Sequence, residues 1–227
     1  MAIDLDLFRR ISLFEELSEA ALARVVSACK VVSYEANAEV LGEQDQSNDV
    51  FFILRGGVRI NSVTPGGKEV IFSDLLAGAI FGEFSAIDHL PRSAAVVAIT
   101  DCLLARMTSR QFFEMLRNDG VIATRLVELL VAKIRRLSER VFEVSALSVR
   151  ERVRRELLRL AVSGTRTGTG ITIRPAPTHY EFAALIGSHR EAVTREFNRL
   201  EGQGTLQVGR QQIRIVAPQN LRDLYGD

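Results

Sequence analysis

The stretch "THYEFAALIGSHREAVTREFNRLEGQG", Thr178 to Gly204, decides the architecture of the C-terminal part of the chain. Thr178 opens a helix through "HYEFAALI", Gly187-Ser188 supply a turn, and "HREAVTREFNRLEGQG" has the spacing of a second helix. Two short strands follow in "TLQVGRQQIRIVA", turning at Gly209-Arg210. Helix, glycine turn, helix and hairpin make a winged helix-turn-helix.

The second helix has two distinct faces. With Arg190 at zero and about 100° per residue, Val193, Phe197 and Leu200 fall between roughly 280° and 340°, facing a core. Arg190, Glu191, Thr194, Arg195 and Asn198 fall between about 0° and 140°, a contiguous polar face. A solvated face with a Glu191–Arg195 pair, worth only about 0.3–0.5 kcal/mol, would have the same composition. The turn, the preceding helix and the wing make DNA reading the expectation, because arginine bonds guanine O6 and N7 bidentately and glutamate accepts from cytosine N4. Charge agrees: residues 148–227 hold 13 basic side chains, all arginine, against 8 acidic, whereas residues 1–147 hold 16 against 20.

Upstream, "VRERVRRELLRLAVSG" reads as a helix ending at Gly164, and "SGTRTGTGITIRPAPT" as a Gly/Thr-rich loop or hairpin. Before it Val127, Leu130, Ile134, Leu137, Val141 and Val144 recur at steps of 3 and 4, a heptad seam. Such a seam either packs on its own domain or joins two copies. The surrounding Arg125, Lys133, Arg135, Arg136, Glu139 and Arg140 leave a narrow stripe, which favours the dimer.

From Val31 to Met107 the texture changes to short apolar runs such as "VFFILRG", "GVRINSV" and "EVIFSDL", punctuated by Gly56-Gly57 and Thr64-Pro65-Gly66-Gly67. An antiparallel β-roll of jelly-roll type follows from that spacing. A small helix precedes it, with Ser18 as N-cap and Leu22, Val25, Val26 and Cys29 on one face. The fold class is therefore α+β. The domains are a β-roll over 1–118, a dimerisation helix and hinge over 119–147, and a winged helix-turn-helix over 148–227.

At 227 residues with 47% hydrophobic and 25% charged side chains, the composition is that of a soluble globular protein. No apolar run approaches the roughly 20 residues of a membrane span, and "MAIDLDLFRR" is unlike a secretory signal, so no membrane is expected and the cytoplasm is the expected compartment. Cys29 and Cys102 read as buried thiols. A jelly-roll enzyme of the cupin type needs clustered histidines, and residues 1–147 hold only His89, placed in a "DHLP" turn; neither a metal nor catalysis is expected.

One segment of the roll stands out. "FGEFSAIDHLPRSAAVVA", Phe81 to Ala98, sets Glu83 and Arg92 nine residues apart in apolar surroundings. Either they pair with each other or something sits between them.

Here the chain resembles the cyclic-AMP receptor protein and FNR-like family of bacterial transcription regulators, from the roll to "EFAALIGSHREAVTREFNRLEGQG". The family's ligand motif, Gly-Glu and then Arg-Ser-Ala, falls on Gly82-Glu83 and Arg92-Ser93-Ala94. The resemblance implies a cyclic nucleotide, with Arg92 and Ser93 on the phosphate and Glu83 on the ribose 2′-hydroxyl. Phe81, Phe84, Ser85 and Ala94 complete that segment, and a short helix after Gly82 adds donors. It also implies a homodimer through the Val127–Val144 helix, a palindromic DNA operator, and RNA polymerase as a partner. Leu137 and Ser138 align with the pair that contacts the base; Leu137 cannot bond the adenine amino group. Cyclic AMP and cyclic GMP both stay open, since Ser93 could meet a guanine 2-amino group. A pocket that binds nothing, on a ligand-independent DNA-binding dimer, is a third possibility. Arg190, Glu191 and Arg195 match the family's base-reading residues, and Thr178 and His189 stand where phosphate contacts fall, His189 replacing a serine.

Overall fold

The computed structural model describes residues 5–67 and 69–222. Contacts divide the chain into two compact units between Ile134 and Arg135, and each is described by itself.

The first unit opens with α1 (Leu5–Arg9) and α2 (Glu19–Ser27), continues through β1 (Lys30–Tyr34), β2 (Glu39–Leu41), β3 (Val50–Arg55), β4 (Gly57–Val63), β5 (Glu69–Leu76) and β6 (Ile80–Phe81), then α3 (Glu83–Asp88), β7 (Ala95–Ala98), β8 (Cys102–Met107) and α4 (Ser109–Asn118), and enters α5 (Gly120–Ala146). Its two four-stranded antiparallel sheets run β1-β8-β3-β6 and β2-β7-β4-β5.

The run "VFFIL" in β3 shows why the roll has two cores. Alternate side chains point to opposite faces, so Phe51 and Ile53 join Val58, Phe81, Val96 and Leu104 in one core. Val50, Phe52 and Leu54 join Phe8, Phe14, Leu22, Met107 and Phe112 in the other. A strand buried on both faces is continuously apolar, which is what the sequence shows. Phe51 stacks on Phe81 at 5.0 Å and Phe14 lies against Phe52 at 4.9 Å.

Helix α5 divides its residues between two tasks. Ile122 and Leu126 are buried in the core, and Leu129 and Leu130 pack against it. Val127, Ile134, Leu137, Val141 and Val144 are exposed, as are Val131 and Phe142 outside the heptad positions. Leu130 thus belongs partly to its own domain.

The second unit takes in the end of α5, α6 (Val149–Ala161), β9 (Thr165–Thr167), β10 (Gly170–Ile173), α7 (His179–Leu185), α8 (Arg190–Gly202), β11 (Leu206–Gly209), β12 (Gln212–Ile215) and α9 (Gln219–Arg222). The Gly/Thr-rich stretch forms the β9–β10 hairpin and joins the wing in one sheet, ordered β11-β12-β10-β9. Phe182, Val193, Phe197, Leu200, Ile213 and Ile215 form its core with Val153 and Leu157 of α6. Ser148 caps α6 through a capping box with Glu151, and Thr178 caps α7 with Glu181.

Buried acids bind this unit internally. Glu143 and Glu156 are each 4% exposed. Glu143 meets Arg159 at 2.9 Å and Arg155 at 3.4 Å, while Arg140 reaches Glu156 at 3.5 Å. Glu196 on α8 is held by Arg199 at 2.5 Å and approached by Arg150 and Arg154 of α6. Burial pushes the Glu156 carboxyl above the usual range despite the opposing pull of Arg159 and Arg140.

Both cysteines are free; Cys102 is buried, but Cys29 follows the end of α2 and is only partly covered. Burial still pushes the Cys29 thiol up to about 12, so it is not a nucleophile at neutral pH.

Candidate functional sites

The segment from Phe81 to Ala94 is built around one glycine. Gly82 has φ +82°, a left-handed conformation that L side chains rarely adopt. A Cβ there would lie 2.8 Å from the Asp49 carbonyl oxygen and 2.9 Å from an Arg92 guanidinium nitrogen. Glycine therefore lets the chain turn from β6 into α3 and lets Arg92 come close.

Glu83 and Arg92 are each 2% exposed, and they are not each other's hydrogen-bond partners. Arg92 donates to the Gly82 carbonyl at 2.9 Å, the Asp49 carbonyl at 2.8 Å and the Ser47 hydroxyl at 3.0 Å. Burial lowers its pKa, and the negative charges of Asp49, Asp45 and Glu83 oppose that shift. Glu83 Oε1 accepts from Lys133 Nζ of α5 at 2.6 Å. Lys133 also lies 5.7 Å from the centre of the Phe84 ring.

Around these two groups Phe81, Ser85 and Ala94 are buried, whereas Phe84 and Ser93 are exposed. Leu137 and Ser138 occupy exposed positions of α5 in the second unit. A separate cleft of about 880 Å³ is lined by Asn48, Asp49, His89, Phe113 and their neighbours, but by neither Glu83 nor Arg92.

In the sequence Lys133 reads only as a charge flanking the heptad seam. One signal was available: it is one of only three lysines, with Lys30 and Lys68, in a chain that otherwise uses arginine. Chemically, the segment holds a guanidinium whose present acceptors are uncharged, and a phosphate oxygen makes the stronger, charge-assisted bond. It also holds a carboxylate able to accept more than the one bond from Lys133.

In the second unit, α8 presents Arg190, Glu191, Arg195 and Asn198 as exposed side chains, with Val193, Phe197 and Leu200 buried behind them. Among the described residues no ion pair joins Glu191 to Arg195, which leaves both free to meet a partner. His189 is the exposed N-cap of α8 and makes no side-chain capping bond. Thr178 is exposed and engaged with Glu181. Thr194 is part-buried: its hydroxyl donates to the Arg190 carbonyl at 3.0 Å and lies 2.9 Å from His179 Nδ1.

Among the described residues no three His, Cys, Asp or Glu side chains gather as a metal site, and no helix is long and apolar enough to cross a membrane.

A β-roll with a buried acid and base beside a left-handed glycine, followed by a winged helix-turn-helix, defines a class of DNA-binding regulators with an effector domain. The family description "Cyclic nucleotide-binding domain" matches residues 31–119, and "Crp-like helix-turn-helix domain" matches residues 151–224. The chain is 32% identical over 179 residues to the cyclic AMP receptor protein of Thermus thermophilus, covering 78% of this chain and 79% of that one. It is 25% identical over 210 residues to the CRP-like cAMP-activated global transcriptional regulator of Mycobacterium tuberculosis, covering 88% and 94%. A solved CooA variant from Carboxydothermus hydrogenoformans shares the fold, with a TM-score of 0.79 at 20% identity over 98% and 96% of the two chains. The chain belongs to the CRP/FNR family of transcription regulators; it is not an enzyme.

Proposed function

We propose that this regulator is a cytoplasmic homodimer, joined through α5, that binds a palindromic DNA operator when a cyclic nucleotide occupies the roll. Cyclic AMP is the first choice of effector, because two similar proteins are named for it. Cyclic GMP is the alternative, since Leu137 offers adenine no hydrogen bond and the exposed Ser93 can meet a guanine amino group. RNA polymerase is the expected partner at the promoter.

The observation that carries the reading is the burial of Glu83 and Arg92, each 2% exposed on one short segment and each bonded to something other than its neighbour. A phosphodiester displaces the carbonyls from Arg92, and a ribose 2′-hydroxyl donates to Glu83. The exposed line Val127, Ile134, Leu137, Val141 and Val144 supports association of two copies. In the dimer the two α8 helices would stand about 34 Å apart and enter successive major grooves. Gating requires the nucleotide to favour the DNA-competent arrangement over the other.

One observation favours a rival. Arg92 already has three protein acceptors, so a ligand-independent DNA-binding dimer would also account for it. Calorimetry with cyclic AMP and cyclic GMP, followed by binding to a palindromic duplex, separates the two. Saturable heat and tighter DNA binding are expected; DNA binding with no heat from either nucleotide establishes the rival.

A further inference from the structure

His179 is the first residue of α7, and its ring packs edge-on against Phe197 of α8 at 4.8 Å. Its Nδ1 lies 2.9 Å from the Thr194 hydroxyl, on the helix whose polar face is offered to DNA. That hydroxyl has one proton, and it goes to the Arg190 carbonyl at 3.0 Å. With that proton on the Arg190 carbonyl we assign the neutral ring its Nδ1–H tautomer, in which Nδ1 donates to Thr194 and Nε2 is a bare acceptor.

The geometry points to His179 as a positioning residue that fixes Thr194 on α8 and couples DNA binding to the uptake of one proton per protomer. This rests on the DNA-binding reading above. Protonation adds an N–H at Nε2 without disturbing the Nδ1 bond, so the ring can donate to a phosphate oxygen while still holding Thr194. The proton comes from solvent and no covalent bond changes.

The surroundings disfavour the imidazolium in the free protein. Burial, then the positive charge of Arg190, pushes the His179 pKa below its ordinary value; Glu201, also on α8, opposes them weakly. DNA reverses the balance, because phosphates near Arg190 offset its charge and favour an imidazolium beside it. The imidazole then binds protons more tightly in the complex than in the free protein, so DNA affinity rises as pH falls.

The test uses the full-length protein with cyclic AMP and a fluorescein-labelled duplex that the protein itself selects from random DNA. Affinity is measured by anisotropy from pH 6 to pH 8. For the wild type the logarithm of affinity should fall with pH, with a slope approaching about −1 for each His179 engaged. His179→Asn keeps a donor toward Thr194 but cannot take a proton; it should bind within about threefold of wild type at pH 8 and show a flat profile. The other nearby imidazole is controlled by His189→Asn, which should keep the wild-type slope. In NMR titrations the His179 midpoint should rise when the duplex is added. An unchanged slope in His179→Asn, a slope lost in His189→Asn, or an unmoved midpoint overturns the proposal. If no duplex is selected at any pH, the DNA-binding reading itself fails; a selected duplex bound with a flat wild-type profile defeats only the proton coupling.

Discussion

Glu83, buried at the start of α3, accepts a 2.6 Å hydrogen bond from Lys133, exactly fifty residues along the chain in α5. This bond ties the Phe81–Ala94 segment to the helix that carries the apolar stripe. In the proposed complex a ribose hydroxyl at Glu83 would share the carboxylate with Lys133, and so connect the ligand to α5.

Replacing Lys133 by Met should leave Glu83 buried without its cation. We expect a loss of about 1–3 kcal/mol, at the low end because Lys133 is partly exposed. Adding Glu83→Gln should restore much of it, since the uncompensated charge is then gone. Chemical denaturation of the four proteins in a double-mutant cycle measures the coupling, and additive effects would show that the ion pair contributes nothing.

Gly82→Ala meets two obstacles, a φ of +82° and a Cβ 2.8 Å from the Asp49 carbonyl. A loss of about 1–3 kcal/mol follows from left-handed strain alone. Because Arg92 is also crowded, cyclic nucleotide affinity should fall at least tenfold even where the protein stays folded. Thermal melts and calorimetry on the same sample check both parts; unchanged nucleotide affinity would mean that Arg92 does not act from its present position.

The two functions should separate by mutation. Arg92→Leu removes the cation proposed to hold the phosphate, so the nucleotide response should vanish. Arg195→Ala removes an exposed side chain and should weaken specific DNA binding by about 1–3 kcal/mol while leaving nucleotide heats intact. Should Arg195→Ala lose nucleotide binding too, α8 would be doing something other than reading DNA.

The legible parts of this protein are those set by local pattern. The helix-turn-helix was readable because Gly187, the wing turn and the spacing of Val193, Phe197 and Leu200 all lie within about forty residues. The β3 run was readable as strand, although its service to two cores was not, because alternation cannot tell which layer each face meets. Contacts between distant segments were beyond reach: Lys133 with Glu83, Arg92 with Asp49, and His179 with Thr194. Glu83 and Arg92 posed a question that sequence alone left open, and the structure gives each a different protein partner. Glu196 is buried on a helix full of charge because Arg150 and Arg154 reach it from α6, a neighbour no helical wheel displays.

Two buried acids of the second unit should behave oppositely when neutralised. Burial raises the Glu156 carboxyl above the ordinary carboxylate range, so the folded state holds its proton more tightly than the unfolded chain does. Its contribution to stability is then complete below about pH 4.5 and is lost as pH rises through the raised value. Glu156→Gln should therefore be at least as stable as wild type at pH 7, with the difference shrinking toward pH 4. Glu143→Gln should instead lose about 1–3 kcal/mol at pH 7, because Arg155 and Arg159, bonded at 3.4 and 2.9 Å, lose their charged acceptor. Thermal melts of both variants from pH 4 to pH 8 provide the comparison. If Glu156→Gln is destabilised at pH 7 as much as Glu143→Gln, attraction to Arg140 and Arg159 outweighs burial at Glu156 after all.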